Sequence, residues 1–538
     1  MKRHTVTRGA AFAAALLLSG HALAAGKPLF LPGSQPAAAN QAAGALAARP
    51  STASMRVRRA DPGVVSAANR EIAIDLGLRQ VNAVLQKAET TPLGSTVWRG
   101  RVDGARARNL SLREAADDAG NDATLVRSGN SVTGNVRVDG KLYRVRPLPD
   151  GSHAVVEVDE SRMPAEHPPS YADVLRRAAP APAASGPTAG IQAIDPGPTA
   201  TIRVQVVATN QAVTAYGGNM QALVELAVAE ANQGYVNSNV GINLQLANYR
   251  TVNYTSVSHD TDLARFRSTS DGIMDDIHAS RDANAADVNV LVTSDSSYCG
   301  LASAIGANAS TAFATVYYDC ATGYYSFAHE IGHLQSARHD AAADPSTTPY
   351  AYGHGYRAPN NAWRTIMAYN CSPSCPRLNY WSNPDVTYQG QAMGTASTAH
   401  NQRVLVNTKA TIAGFRGSTP PPPTGTQTYS NAADYQIRDN ATVESPITVS
   451  GRTGNAPSNA SVSVNIVHTY RGDLLVQLVA PDGTLYTLSN RAGGSADNLV
   501  ATYTLNLSSE ALNGTWKLRV NDNGRGDTGY INSWSVTF

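Results

Sequence analysis

The chain has 538 residues, too many for one ordinary domain, and its length allows about two to four. Its 43 basic and 41 acidic residues leave a formal charge of +2, which excludes a broad electrostatic footprint for nucleic acid or an anionic membrane. The surface reads as soluble and nearly neutral.

At the N-terminus, Lys2, Arg3 and Arg8 precede the apolar run Ala10 to Leu18, and Ala22-Leu23-Ala24 offers a small-x-small cleavage site. A membrane anchor needs about 20 apolar residues, roughly twice this run, and no other segment would span a bilayer. Residues 1–24 are therefore expected to be a signal peptide, with the protein secreted, through the periplasm if the source is Gram-negative. Residues 25–196 are rich in Ala, Arg, Pro and Gly, contain no cysteine, and read as a small separate α+β unit. Apolar Ile72, Ile74, Leu76, Val81, Val84 and Leu85 predict a helix over 67–88. Ser95 to Arg101, Ala123 to Val126, Gly134 to Val138, Lys141 to Val145 and Ala154 to Val158 predict strands, with turns at Asp139-Gly140 and Asp150-Gly151. The Pro- and Ala-rich stretch 179–200 is a linker open to cleavage.

Residues 197–416 form the next unit. Ile202 to Ala208 predicts a strand, Asn219 to Tyr235 a long helix closed by a turn at Gly241, and Ile242 to Leu246 a second strand. A helix is expected over Asp271 to Ala279 and a buried central strand over Val288 to Thr293. Phe313 to Tyr318 is another strand, either an ordinary member of the sheet or the edge strand over a cleft, where it would pair with a substrate backbone. The four cysteines all fall in this unit, and local pairing joins Cys299 to Cys320 and Cys371 to Cys375.

The chemistry concentrates in His329-Glu330-Ile331-Gly332-His333, followed by His339 and Asp340. Histidines four apart on a helix share one face, so His329 and His333 can reach a single metal ion. His339 supplies a third nitrogen if the helix stops near Ser336 and the chain turns back. Three neutral imidazoles and an open position are a zinc site, and Glu330 lies where its carboxylate can take a proton from metal-activated water. Thr365-Ile366-Met367-Ala368-Tyr369 follows. Together with the extended histidine motif, Met367 makes this unit resemble the metzincins. Asp340 resembles the adamalysin or reprolysin branch and Tyr369 the astacins and serralysins. The combination is similar to bacterial peptidyl-Asp metalloendopeptidases.

The resemblance implies a mixed twisted sheet with a zinc helix, with His329, His333 and His339 as ligands, Glu330 as general base and Met367 as a structural floor. It also implies that Tyr369 stabilises an oxyanion or acts as a fifth ligand, unless it merely fills the core. The family's glycine is Ser336 here, and a left-handed serine costs roughly 1–2 kcal/mol. His354 and His400 read as ordinary polar residues. Cleavage next to Asp would need a cation; Arg357, Arg364 and Arg377 flank the relevant region, although each taken singly reads as a solvated surface arginine. An N-terminal unit ahead of such a protease is most simply a propeptide that chaperones folding and blocks the cleft. It has no cysteine to place on the metal, which leaves an acidic residue, a histidine such as His167, or steric occlusion.

Residues 417–428, with Pro420 to Pro423, form a stiff linker. Residues 429–538 alternate apolar and polar positions between turns and predict a β-sandwich. Thr469-Tyr470-Arg471-Gly472-Asp473-Leu474, Ala480-Pro481-Asp482-Gly483-Thr484 and Gly514-Thr515-Trp516 resemble the P (Homo B) domain, and Asp473, Asp482 and Asp522 are candidates for calcium. The expectation is a multidomain secreted zinc endopeptidase acting on protein or peptide substrates, without nucleic acid or a membrane anchor. The alternative is a catalytically silent binding or adhesion protein on the same scaffold, against which the intact Glu330 argues.

Overall fold

The structure, a computed structural model, describes residues 26–33, 41–103, 118–169, 171–176, 194–416, 427–449, 452 and 455–538. The expected signal peptide and most of the two linkers lie outside the described residues. The N-terminal part is built on a nine-stranded sheet. Its strands run in the order Lys27–Pro28, Glu71–Asp75, Gln80–Thr90, Thr96–Val102, Asp122–Ser128, Ser131–Val138, Lys141–Pro147, His153–Val158 and Thr52–Arg58.

The helix expected over 67–88 is instead a hairpin, with Ile74 opposite Val81 and Asp75 opposite Gln80. Two short runs of period two, Ile72/Ile74 and Val81/Ala83, imitate a helical face when read across the turn, whereas each separately buries one face of a strand. Gly77, at φ +95°, takes the left-handed turn between them. Among the described residues of this part, α-helix is confined to Gln41–Ala47 and Tyr171–Arg176, so it is mainly β rather than α+β. The five strands expected after the hairpin are present.

The middle region carries strands β1 (Ala200–Thr209), β2 (Ile242–Val252), β3 (Val288–Thr293), β4 (Gly300–Ala302) and β5 (Phe313–Tyr317), with helices α1 (Met220–Asn237), α2 (His259–Arg267), α3 (Asp276–Ala283) and α4 (Ser326–Leu334). The sheet order is β2-β1-β3-β5-β4, parallel except for β4. Ile202, Val204, Val206, Val288 and Val290 pack with Leu223, Ala227 and Ala231 of α1 and with Ile331 and Leu334 of α4 in one core. β5 lies between β3 and β4 and is not the edge. That place belongs to β4, whose three residues are too short to leave a periodic signal. α3 starts five residues later than expected, and α2, capped by the Ser258 side chain on Thr261 N, was not anticipated. Cys299 bonds Cys320 and Cys371 bonds Cys375.

The N-terminal sheet grips the turn that leads into α4. Val97 and Val126 pack against Ala222 and Leu226 of α1. Arg137, completely buried and paired with Glu160 at 2.8 Å, donates to Gly323 O at 2.7 Å and to Tyr325 Oη at 3.0 Å. Arg144 and Arg49 converge on Asp319 at 3.0 and 2.8 Å, and Arg146 reaches Thr322 Oγ1. Gly323 and Tyr325 both hold positive φ, a conformation that costs a tyrosine free energy and must be held from outside. Glu230 of α1 accepts from Asn135 Nδ2 at 2.5 Å and from Gly323 N at 2.7 Å, and burial pushes its carboxyl up to about 7.

Residues 417–538 form a second compact unit. A five-stranded and a four-stranded antiparallel sheet enclose Val462, Val464, Leu474, Val476, Trp516, Leu518, Trp534 and Val536. The expected sandwich is present. No helix among the described residues is long and apolar enough to cross a membrane.

Arg137→Ala would leave Glu160 and two groups of the turn without their cation, so the full chain should lose about 3–5 kcal/mol in chemical denaturation. Glu230 is protonated in the fold at a pH where it ionises when unfolded. Its stabilisation is therefore complete below about 4.5 and lost as pH rises through about 7. Glu230→Gln should flatten that part of the stability-against-pH curve.

Candidate metal centre and cleft

α4 ends in a left-handed turn that brings the third histidine back. Ser336 holds φ +77°, Ala337 N donates to Gly332 O at 2.9 Å and Ser336 N to His333 O at 2.9 Å, the paired bonds of a Schellman cap. The loop N–H groups of Gly306 and Ala307 satisfy His333 O and Leu334 O. The serine thus adopts the conformation expected at the glycine position, inside a turn whose hydrogen bonds offset the strain. Gly332 leaves room below the site: a Cβ there would lie 2.6 Å from Trp381 Cζ3 and 3.0 Å from Met367 Sδ. Met367 is fully buried, as a structural floor requires.

The Nε2 atoms of His329, His333 and His339 lie 3.0–3.2 Å apart. A fourth imidazole joins them. His167 places its Nε2 3.1 Å from those of His329 and His333 and 2.9 Å from that of His339. Tetrahedral zinc with bonds of about 2.0–2.1 Å holds its nitrogens about 3.3 Å apart, close to this arrangement. The Nδ1 atoms face backbone carbonyls: His329 that of Ile366 at 2.9 Å, His333 that of Ala337 at 2.8 Å and His167 that of Gly300 at 2.9 Å. A carbonyl facing each of these Nδ1 atoms favours the tautomer whose Nε2 lone pair points inward. Burial lowers the pKa of all four, His167 to about 4, so the rings are neutral. Four converging imidazole nitrogens in a buried site fit a soft-to-borderline divalent cation. Among the described residues, this is the only gathering of His, Cys, Asp or Glu able to hold a metal.

Glu330 is buried beside these rings, with Oε2 unbonded, and its carboxyl is raised well above the ordinary range by burial and then by nearby Glu166. β4 passes very close to it. A Cβ on Gly300 would lie 2.6 Å from Glu330 Oε1 and 2.8 Å from Thr315 O, so only glycine lets the edge strand approach the carboxylate.

The remaining candidates separate by their contacts. Asp340 is structural: its Oδ2 accepts from Tyr369 N and from Arg357 Nη2, each at 2.9 Å, tying the Met367 turn to the third histidine. The Tyr369 ring lies 4.3 Å from that of His339. His354 donates from Nδ1 to His339 O, and His400 contacts Gln402; neither joins the cluster. Asp473, Asp482 and Asp522 do not assemble into a three-ligand group: Asp482 caps Thr484 and Asp522 pairs with His468.

The surface reading fails for Arg364 and Arg377. Both are completely buried and hold the carboxylate of Glu166, with Oε1 3.3 Å from Arg364 Nη1 and Oε2 3.2 Å from Arg377 Nη1. No sequence pattern marks Glu166, and its position next to His167 is the local signal for it. The same stretch adds itself to the edge strand: Cys299 N donates to Ala165 O at 2.8 Å and Gly300 N to Glu166 O at 3.1 Å. Tyr171 stacks on His167 with centroids 4.2 Å apart.

Residues 198–382 match metallo-peptidase family M12 (Reprolysin_5), and residues 457–538 match the proprotein convertase P-domain. The chain is 57% identical over 415 residues to the peptidyl-Asp metalloendopeptidase of Xanthomonas campestris pv. campestris, covering 75% of this chain and 97% of that protein. It is 58% identical over 408 residues to the protein of that name from Stenotrophomonas maltophilia (strain K279a), covering 74% and 96%. Over a shorter stretch of 124 residues, 23% of this chain and 28% of the relative, it is 63% identical to leupeptin-inactivating enzyme 1 of Streptomyces exfoliatus. With its four-histidine cluster and its match to family M12, the chain belongs to the reprolysin-like metalloendopeptidases of the peptidyl-Asp group, and it carries a P domain.

Proposed function

We propose that the protein is a secreted zinc endopeptidase made as a precursor, with Glu330 as general base and a preference for peptide bonds next to acidic residues, Asp above all. The observation that carries the reading is Glu330 itself: buried, with an unbonded oxygen, beside three imidazoles whose lone pairs converge. His329, His333 and His339 hold the ion, and their carbonyl partners fix the rings. Zinc supplies Lewis acidity, activating water and polarising the scissile carbonyl. Glu330 takes the water's proton on its carboxylate and returns it to the leaving amine. Tyr369, whose ring packs on His339, hydrogen-bonds the developing oxyanion in this reading. The N–H groups of Cys299 and Gly300 pair with the substrate backbone, a mode that does not depend on side-chain identity.

Preference for an acidic neighbour is supported by the names of the relatives and by the buried Arg364–Arg377 pair. The N-terminal sheet acts as a propeptide: its arginines brace the turn ahead of α4, and its His167 covers the metal. Residues 1–24 direct export, cleavage falls in the linker at 179–200, and the P domain stabilises or targets the enzyme. A calcium role for Asp473, Asp482 or Asp522 finds no ligand cluster to support it.

In the activated protein, Glu330→Gln should retain zinc by elemental analysis while casein hydrolysis falls about 10²- to 10⁴-fold. Hydrolysis near the wild-type rate would remove Glu330 from the role. A chelator should abolish activity and added zinc restore it. Gly300→Ala should displace the Glu330 carboxylate and lower kcat by about tenfold or more with metal content unchanged.

A further inference from the structure

Two guanidinium groups buried side by side need an anion, because neither can shed its charge and each repels the other. Among the described residues, the carboxylate paired with Arg364 and Arg377 is Glu166, and it comes from the N-terminal part. Every other partner of the pair lies in the middle region. Arg364 donates to Tyr324 Oη at 2.8 Å and to Ala368 O at 2.5 Å, and Arg377 to Tyr324 O and Ile366 O, each at 2.8 Å. Both guanidinium groups lie over the Tyr324 ring, at 5.1 and 4.9 Å. The cradle is therefore built by the protease unit and filled from outside it.

Its position is as informative as its charge. Arg377 shares the Ile366 carbonyl with His329 Nδ1, so the cradle adjoins the metal-binding histidines directly. Consecutive residues of one segment reach both places, Glu166 into the cradle and His167 to the converging Nε2 atoms. An extended peptide whose backbone pairs with β4 would likewise place an acidic side chain in the cradle when the adjoining residue lies at the metal. Tyr171 stacks on the His167 ring, and Pro168-Pro169 stiffen the chain between them.

We propose that Arg364, Arg377 and Tyr324 form the subsite that takes the acidic side chain beside the scissile bond. Glu166-His167 is a pseudosubstrate that fills this subsite and the metal's open position together. This rests on the endopeptidase reading above. The two contacts are separable: the Glu166 contact is independent of metal, whereas the His167 contact depends on it.

The test uses the full-length chain carrying Glu330→Gln, which prevents self-cleavage, with amide hydrogen exchange of residues 163–171 followed in zinc-loaded and zinc-stripped protein. Glu166→Gln should raise exchange roughly tenfold or more in both metal states, and Glu166→Asp, which keeps the carboxylate, should stay near the parent. His167→Ala should raise exchange in the zinc-loaded chain and not in the stripped one. A second arm keeps Glu330 and compares hydrolysis of Asp-containing and matched Asn-containing peptides by the activated protein, with the free peptide 163–171 as competitor. The Asp peptide should be preferred by about tenfold or more, and a Glu166→Gln competitor should inhibit more weakly than the parent peptide. Unchanged exchange in Glu166→Gln, or equal cleavage of the two peptides, overturns the proposal and leaves the endopeptidase reading intact. Cleavage of neither peptide overturns that reading, while the exchange arm still reports on the Glu166 contact.

Discussion

The structure depends on bringing four neutral imidazole nitrogens to within about 3 Å of one another in a buried site. Lone pairs so arranged repel, and desolvation removes any relief from protonation, so the arrangement persists only if the rings are held from behind and a cation sits between them. The carbonyls of Ile366, Ala337 and Gly300 supply the first condition. They come from the Met367 turn, the turn at Ser336 and the edge strand β4, so three separate parts of the fold must be in place before the site has its geometry.

The same dependence explains why so much of the N-terminal sheet is spent on residues 318–325. That turn holds two positive φ values and starts α4. Buried Arg137, Arg144 and Arg146, with Arg49, bond its carbonyls, hydroxyls and Asp319, replacing water where the turn cannot satisfy itself. The grip on the helix start and the Glu166-His167 contact beside the imidazoles are separate contacts made by the same N-terminal part.

Much of this was legible in the residues alone. His329, Glu330, His333, His339 and Met367 carry their own spacing, both disulfides are local, and the regular alternation of residues 460–538 marks a sandwich. Where reading failed, the reasons were geometric. Two strands joined by Gly77 copied a helical period over 67–88. β4 is too short to show a pattern, so Phe313 to Tyr318 carries two readings by sequence, of which the ordinary sheet strand is the one found. Arg364 and Arg377 resembled surface residues because nothing local tells an arginine that a carboxylate 198 or 211 positions away will meet it.

The sequence by itself determined where the chemistry concentrates: which imidazoles converge, which carboxylate lies beside them, and that a turn must reverse the chain at Ser336. These follow from spacing along one helix and its exit, where covalent geometry sets distance. The tertiary structure alone decided which strand forms the sheet edge beside Glu330, what anion balances the buried arginines and that His167 joins the other three imidazoles. Those contacts join segments far apart in the chain, and only the packing of the complete fold sets their distances.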